Sequence, residues 1–181
     1  MSLENVKYTL LLLAIFSHLT IQAQDCKLVR RTTKKSADTQ SKGGSAQSKD
    51  YLLLYLEKNY DPENPNDSVN YSAMIIKGSR YELKDSIINN GGKFEFYLSN
   101  GETLTWDNAK ASNLGNVLMS PYSNNIMFKV RGTRRQLEPL TKYYISKIRV
   151  FDILETDFGA KSQKQLLAIA GCLSKSDNKW D

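Results

Sequence analysis

Hydrophobic and polar residues alternate most clearly between Lys93 and Trp106, on either side of Asn100-Gly101. This alternation predicts a β-hairpin. If Ser99 to Gly101 form a three-residue loop with Gly101 in the left-handed region, the apolar residues share one face: Phe94, Phe96, Leu98, Leu104 and Trp106. The other face then carries Glu95, Tyr97, Thr103 and Thr105. A two-residue Asn-Gly turn would mix the two sets, so we expect the three-residue loop.

Other short apolar runs have the length of strands. They cover residues 51–56, 71–77, 126–130 and 148–154. The segment from Leu137 to Ser146 is compatible with either a short helix or a strand.

The last periodic segment predicts a helix from about Ala160 to Ser174, with Asp157 or Ser162 as its cap. Its apolar residues recur at helical spacing, at Leu166, Ile169, Ala170 and Leu173. Several strands followed by one terminal helix indicate an α+β fold with a mainly antiparallel sheet. The alternative is a β-sandwich with an appended helix.

The N-terminus carries a different pattern, a run of about nine mostly apolar residues from Tyr8 to Phe16 after Lys7. This run has the length of a secretory signal core and is far shorter than the roughly 20 residues of a membrane-spanning helix. We therefore predict a signal peptide over residues 1–23, cleaved after Ala23, and a protein that is periplasmic, cell-surface or extracellular. Asp25 immediately before Cys26 argues against a lipid anchor.

Cleavage at that point would remove His18, the single histidine of the chain. Ser-His-Asp and Cys-His nucleophile systems and histidine-bearing zinc sites all require an imidazole. The sequence has no phosphate-binding glycine loop and no metal-ligand spacing, so we expect no cofactor and no metal.

Positive charge is concentrated just after the predicted leader. Residues 24–49 hold seven basic and two acidic residues, whereas residues 50–181 hold 17 and 16. The first segment is rich in Ser, Gly, Gln and Lys, which predicts a disordered basic linker. Residues 50–181 are then expected to form one α+β domain. A functional interpretation of the linker is binding to polyanions or to a membrane surface.

Cys26 and Cys172 are the only cysteines. An even number in an exported chain favours a disulfide between them. The alternative is a free Cys172 on the helix and Cys26 in a mobile tail.

Two clusters are candidates for binding. Arg131, Arg134 and Arg135 are a candidate anion site, or else a hairpin tip kept soluble by its charge. Tyr97, Tyr143 and Tyr144 are candidates for aromatic contacts with sugars or peptides, because their rings combine apolar faces with polar edges.

These observations favour a non-catalytic exported binding or structural module that meets a protein or glycan at the cell surface, without specific nucleic-acid binding. One alternative is a carboxylate-dependent hydrolase resembling a glycosidase, with Glu95, Glu102 and Asp107 as its candidate acids. The other is polyanion or membrane-surface binding through the basic linker.

Overall fold

The structure is a computed structural model that describes residues 25–33, 40–60, 69–79, 83–115 and 124–175. The predicted signal peptide lies outside these ranges. The helices are the 3-10 helices η1 (Asp25–Leu28) and η2 (Glu138–Thr141) and the α-helices α1 (Asp85–Asn90), α2 (Arg134–Leu137) and α3 (Ala160–Ser174). The strands are β1 (Arg30–Thr33), β2 (Gln40–Gln47), β3 (Leu53–Tyr60), β4 (Val69–Ser79), β5 (Gly92–Leu98), β6 (Thr103–Gly115), β7 (Asn124–Gly132), β8 (Ile145–Val150) and β9 (Leu154–Asp157).

All described strand pairs are antiparallel and belong to one sheet, in the order β1-β2-β3-β4-β7-β6-β5-β8-β9. The sheet curls into a half-barrel, and α3 follows it in the chain, which confirms the mainly antiparallel α+β prediction. The β-sandwich alternative is not confirmed. Strand β6 makes the sheet continuous, because its first half pairs with β5 up to Ala109 and its second half pairs with β7 from Lys110.

The hairpin of β5 and β6 has the predicted register. Phe94 lies opposite Trp106 and Phe96 opposite Leu104. Gly101 has φ +88° and its N–H donates to the Leu98 carbonyl over 3.0 Å. The three-residue loop is therefore confirmed, and Phe94, Phe96 and Trp106 are fully buried.

Trp106 is the largest side chain of the core. The ring of Phe96 meets it edge-on, with 5.3 Å between centroids. On β7, Gly132 lies so close to the indole that a Cβ at this position would be 2.6 Å from its nearest ring atom. Position 132 of β7 therefore requires a glycine, because any side chain there would overlap the Trp106 ring.

Helix α3 covers the sheet with the predicted apolar stripe, and Leu166, Ile169, Ala170 and Leu173 are buried. Its N-cap is Gly159, without a side-chain hydrogen bond, so the predicted cap at Asp157 or Ser162 is wrong. Asp157 is instead the last residue of β9. At the other end of α3, the buried Lys58 ammonium donates to the Lys175 carbonyl over 3.2 Å, where the helix dipole favours a cation.

The predicted disordered linker is wrong for residues 25–33 and 40–49, which include η1, β1 and β2, while residues 34–39 lie outside the described ranges. Strand β2 pairs with β3 along its whole length. Its inward residues Gly44 and Ala46 are buried, and Ser48 just after the strand is buried too. Small side chains let the helix approach the sheet, which explains a strand without large apolar residues. The fold therefore begins before Asp50, the predicted domain boundary.

Two further segments refine the prediction. The run 148–154 is not one strand, because β8 ends at Val150 and a turn leads into β9. Phe151 and Asp152 both have φ 56°, and the Ile153 N–H donates to the Val150 carbonyl over 3.2 Å, which closes that turn. The ambiguous segment 137–146 is mainly helical, through η2, before β8 begins at Ile145.

The disulfide between Cys26 and Cys172 is confirmed, with 5.6 Å between the two Cα atoms. It joins η1 to α3 across a sequence separation of 146 residues. Within the described ranges, no helix combines the length and apolar character needed to cross a membrane.

Reduction of this disulfide should lower the free energy of unfolding. Closing so long a loop removes chain entropy from the unfolded state, which corresponds to about 5 kcal/mol. Urea unfolding followed by circular dichroism, with and without reductant, measures the difference. Equal midpoints in the two conditions would contradict a stabilising disulfide.

The Gly132→Ala variant should be destabilised by about 1 to 3 kcal/mol, because its methyl group would overlap the Trp106 ring. Gly171→Ala is the matched control, since Gly171 lies in α3 and an added Cβ would have no described atom within 4 Å apart from the adjacent residues and the nearby backbone of the helix. This control should be about 0.5 to 1 kcal/mol more stable than the parent. Urea unfolding of both variants is the measurement, and a tolerated Gly132→Ala would count against the packing described above.

Candidate functional site

A groove of about 430 Å³ lies at the edge of the sheet where β1 and β2 part. In the ranges that the structure describes, β1 pairs with residues 40–43 of β2, while β2 continues to Gln47. The groove opens beside that uncovered part of β2. Its lining comes from η1, β1, β2 and β3, and consists of Lys27, Leu28, Arg30, Ser41, Gly43, Gly44, Ser45, Tyr55 and Glu57.

Close packing at Gly44 positions one wall of the groove. A Cβ on Gly44 would lie 2.8 Å from the Leu28 carbonyl oxygen and 3.0 Å from the Ile169 side chain. Only a residue without a side chain lets η1 and α3 approach β2 this closely. Since Cys26 is bonded to α3, the next two residues, Lys27 and Leu28, are held at the groove.

The floor of the groove is open because Gly43 has no side chain. Gly43 pairs with Glu57 on β3. A Cβ on Gly43 would lie 2.9 Å from Cγ of Glu57. Any larger residue would therefore displace the glutamate and fill the space above the strand.

Glu57 is oriented by polar neighbours on β4 and β7. The Ser72 hydroxyl donates to Oε2 of Glu57 over 3.2 Å, and Lys129 Nζ lies 3.8 Å from the same oxygen. Asn59 Nδ2 in turn donates to Ser72 Oγ over 3.2 Å. Ser72 is only 1% exposed, so its hydroxyl group is fixed and holds the Glu57 carboxylate in place. The Lys129 ammonium group offsets the charge of that carboxylate.

The remaining charge of the groove is positive. Lys27 and Arg30 are both exposed, and no acidic side chain among the described residues lies within ion-pair distance of either. Tyr55 is partly buried and presents an amphipathic ring between these cations and the rest of the sheet face. The groove thus combines a guanidinium and an ammonium group that pair with no acid in the described part of the chain, a fixed carboxylate and an aromatic ring.

The predicted aromatic residue Tyr97 is covered by cations. Lys147 Nζ lies 4.6 Å from the centroid of its ring, and the Arg149 guanidinium carbon lies 5.9 Å away. Both cations also contact Glu155, at 3.0 Å each. Hydrogen bonds from Lys147 and Arg149 lower the pKa of the Glu155 carboxyl. Tyr97 is therefore part of a surface ion-pair network rather than an open stacking platform.

Tyr143 and Tyr144 follow η2, and both are 36% exposed. The Ser99 N–H donates to the Tyr144 carbonyl over 2.9 Å, which places this backbone beside the loop of the β5–β6 hairpin. The three predicted tyrosines thus lie toward one end of β5 and β8, away from the residues that line the groove.

The arginine cluster lies at a strand-to-helix junction, so the hairpin-tip interpretation is wrong. Arg131 is on β7, opposite Ser72, and Arg134 and Arg135 open α2. Thr133 caps that helix, accepting a hydrogen bond from the Gln136 N–H. All three arginines are exposed, and none of them lines the groove.

The three acids of the hydrolase alternative have separate environments. Glu95 lies 2.8 Å from Lys93 and 3.8 Å from Arg149. Glu102 accepts a hydrogen bond from Asn100 in the hairpin loop, and Asp107 is exposed on β6. Among the lining residues that the structure describes, Glu57 is the acid. Among the described residues, no group of three potential metal ligands lies together.

Sequence reasoning missed the groove because Lys27, Arg30 and Ser41 fall in the segment predicted to be disordered. The signal that could have found it was Cys26. If Cys26 pairs with a cysteine on the C-terminal helix, the residues next to it must lie against the folded domain. The two predictions for this segment were therefore in conflict.

No protein-family model, curated protein or solved structure matches this chain.

The Lys147→Met variant should raise the pKa of Glu155 toward its ordinary value, because it removes the hydrogen bond that lowers the pKa most. A carboxylate with a lowered pKa stabilises the fold above its unfolded pKa and loses this effect as the pH falls through its folded pKa. The free energy of unfolding should therefore fall less steeply with decreasing pH in the variant than in the parent. Carboxyl carbon NMR titration measures the shift.

Lys142→Met is the matched control, because Lys142 lowers the pKa of Glu138 in the same way. This variant should raise the pKa of Glu138 and leave that of Glu155 unchanged. An unaltered Glu155 titration in Lys147→Met would contradict the assignment.

Proposed function

We propose that this chain is a non-catalytic, exported binding module that holds a small anionic ligand in the groove. The observation that carries the proposal is the position of Lys27 and Arg30 at the groove without an acidic partner among the described residues. Two uncompensated cations beside a shaped concave surface favour a carboxylate, sulfate or phosphate group.

Each wall supplies a different contact. The planar fork of Arg30 suits two oxygens of one anion, while Lys27 acts as a point charge. Oε2 of Glu57 contacts both Ser72 and Lys129. Oε1 of Glu57 accepts no hydrogen bond from the described residues. A hydroxyl group of the ligand could therefore donate to that oxygen. An anion that also carries a hydrogen-bond donor would gain this additional contact.

A binding role is supported by the chemistry that the groove lacks. Glycoside hydrolysis uses two carboxyl groups on either side of the scissile bond. The described part of the groove lining holds one carboxylate, and that group is already paired with Lys129. His18, the one histidine, lies inside the predicted signal peptide. These features favour recognition over catalysis.

Export is supported by the disulfide. Bonds of this kind form and persist in oxidising compartments and are rare in the cytosol of most cells. The Cys26–Cys172 disulfide also holds the groove wall, so the binding site and the proposed location depend on the same bond. We propose that the mature protein lies in the periplasm, at the cell surface or outside the cell.

The Arg30→Gln variant tests this function. Isothermal titration with glucuronate and with inorganic phosphate should show binding to the parent protein and about 10-fold or greater weakening in the variant, because a charged hydrogen bond contributes about 1.5 to 3 kcal/mol. Glucose, which is neutral, should bind much more weakly than glucuronate.

Arg135→Gln is the control, since Arg135 is an exposed arginine outside the groove. It should bind both anions as the parent does. The proposal is overturned if neither anion binds, or if Arg30→Gln and Arg135→Gln behave alike. Amide NMR shifts should localise to Gly43, Ser45 and Tyr55.

A further inference from the structure

An apolar patch continues from the groove across the outer face of the sheet. The strand register gives the patch two rows of neighbouring side chains. One row consists of Leu53, Ile76 and Met127, and the other of Tyr55 and Met74. We use "apolar patch" for these five residues, which come from β3, β4 and β7.

The apolar patch lies on the opposite side of the sheet from α3. Leu54 and Leu56 on β3 point to the core and are fully buried, while their neighbours Leu53 and Tyr55 are only partly buried. None of the five patch residues belongs to the hydrophobic core cluster or packs against it. The solvent face of an antiparallel sheet is usually polar, so contiguous apolar side chains there indicate a contact surface.

Tyr55 belongs both to the groove lining and to the apolar patch, so the two surfaces are continuous. Cations lie at the groove end, where Arg30 is on β1. The far end is Met127 on β7, four strand spacings away, or roughly 19 Å. A ligand that covers both surfaces would have an anionic head and an extended apolar tail.

We propose that the ligand is a single anionic amphiphile whose head group binds in the groove and whose alkyl chain lies across the apolar patch. This inference rests on the proposed function, because the head group uses Lys27 and Arg30. A second copy of the chain is a poorer occupant, since it would bring a second set of groove cations close to the first. A bilayer is also poorer, because these side chains are partly buried on a continuous sheet surface, whereas membrane binding needs apolar groups inserted roughly 5 to 10 Å.

The test is a chain-length series of butanoate, octanoate and dodecanoate, each below its micelle concentration, titrated by calorimetry and NMR. Affinity should rise with length by about two- to four-fold for each methylene that contacts the protein. Octanoate should bind more tightly than octanol, which shares the chain but lacks the charge.

Two sets of variants separate the head group from the tail. Ile76→Thr combined with Met127→Gln should reduce the dependence on chain length and leave butanoate binding unchanged. Arg30→Gln should weaken all three anions by the same factor and keep the dependence on chain length. Ile153→Thr is the control, because Ile153 is 53% exposed in the β8–β9 turn, outside the apolar patch.

The outcomes distinguish this inference from the function on which it rests. Affinity independent of length, with glucuronate or phosphate still bound, would overturn the amphiphile and keep the anion site. Equal binding of octanol and octanoate would overturn both. Binding to phosphatidylglycerol vesicles without binding to monomeric dodecanoate would assign the patch to a membrane surface. A dimer in sedimentation that Met127→Gln abolishes would assign it to a second copy. Each of these last two results overturns the inference.

Discussion

The close approach of two helices to β2 at Gly44 is the contact on which the architecture of the groove depends. A carbonyl of η1 and the side chain of Ile169 both occupy the space that a Cβ would need. Because the contact lies at the edge of the sheet, it fixes the position of the first described element against the last. The disulfide between Cys26 and Cys172 then holds this arrangement covalently. The neighbouring Gly43 leaves the opposite face of β2 open. Of these two adjacent glycines, Gly44 therefore allows close packing with the helices and Gly43 leaves space for the groove.

Sequence patterns predicted those elements whose stability comes from their own apolar periodicity. The β5–β6 hairpin could be predicted down to its register, because only one loop length puts Phe94, Phe96 and Trp106 on a common face. Helix α3 could be predicted for the same reason. Strand β2 could not, because its stability comes from pairing with β3, and its inward residues must be small to admit α3. Composition that resembles a flexible linker was in this case a requirement of close packing.

The candidate site was less predictable than the fold. The two cations of the groove come from η1 and β1, and both the aromatic ring and the carboxylate come from β3. The residues that orient the carboxylate come from β4 and β7. No local motif joins residues so far apart in the chain. Tyr97 was correctly predicted on the polar face of its hairpin, yet Lys147 and Arg149 cover its ring because β8 pairs with β5. Strand order, which periodicity does not reveal, decided which predicted residues stay available for ligands.

The disulfide between η1 and α3 also has a consequence for the order of assembly. A chain that is synthesised from its N-terminus presents β1 to β4 before α3 exists. Until that helix arrives, the Ile169 side chain is not yet packed against Gly44 on β2, and Cys26 has no partner. The wall of the groove that η1 forms is therefore among the last parts of the protein to reach its final position.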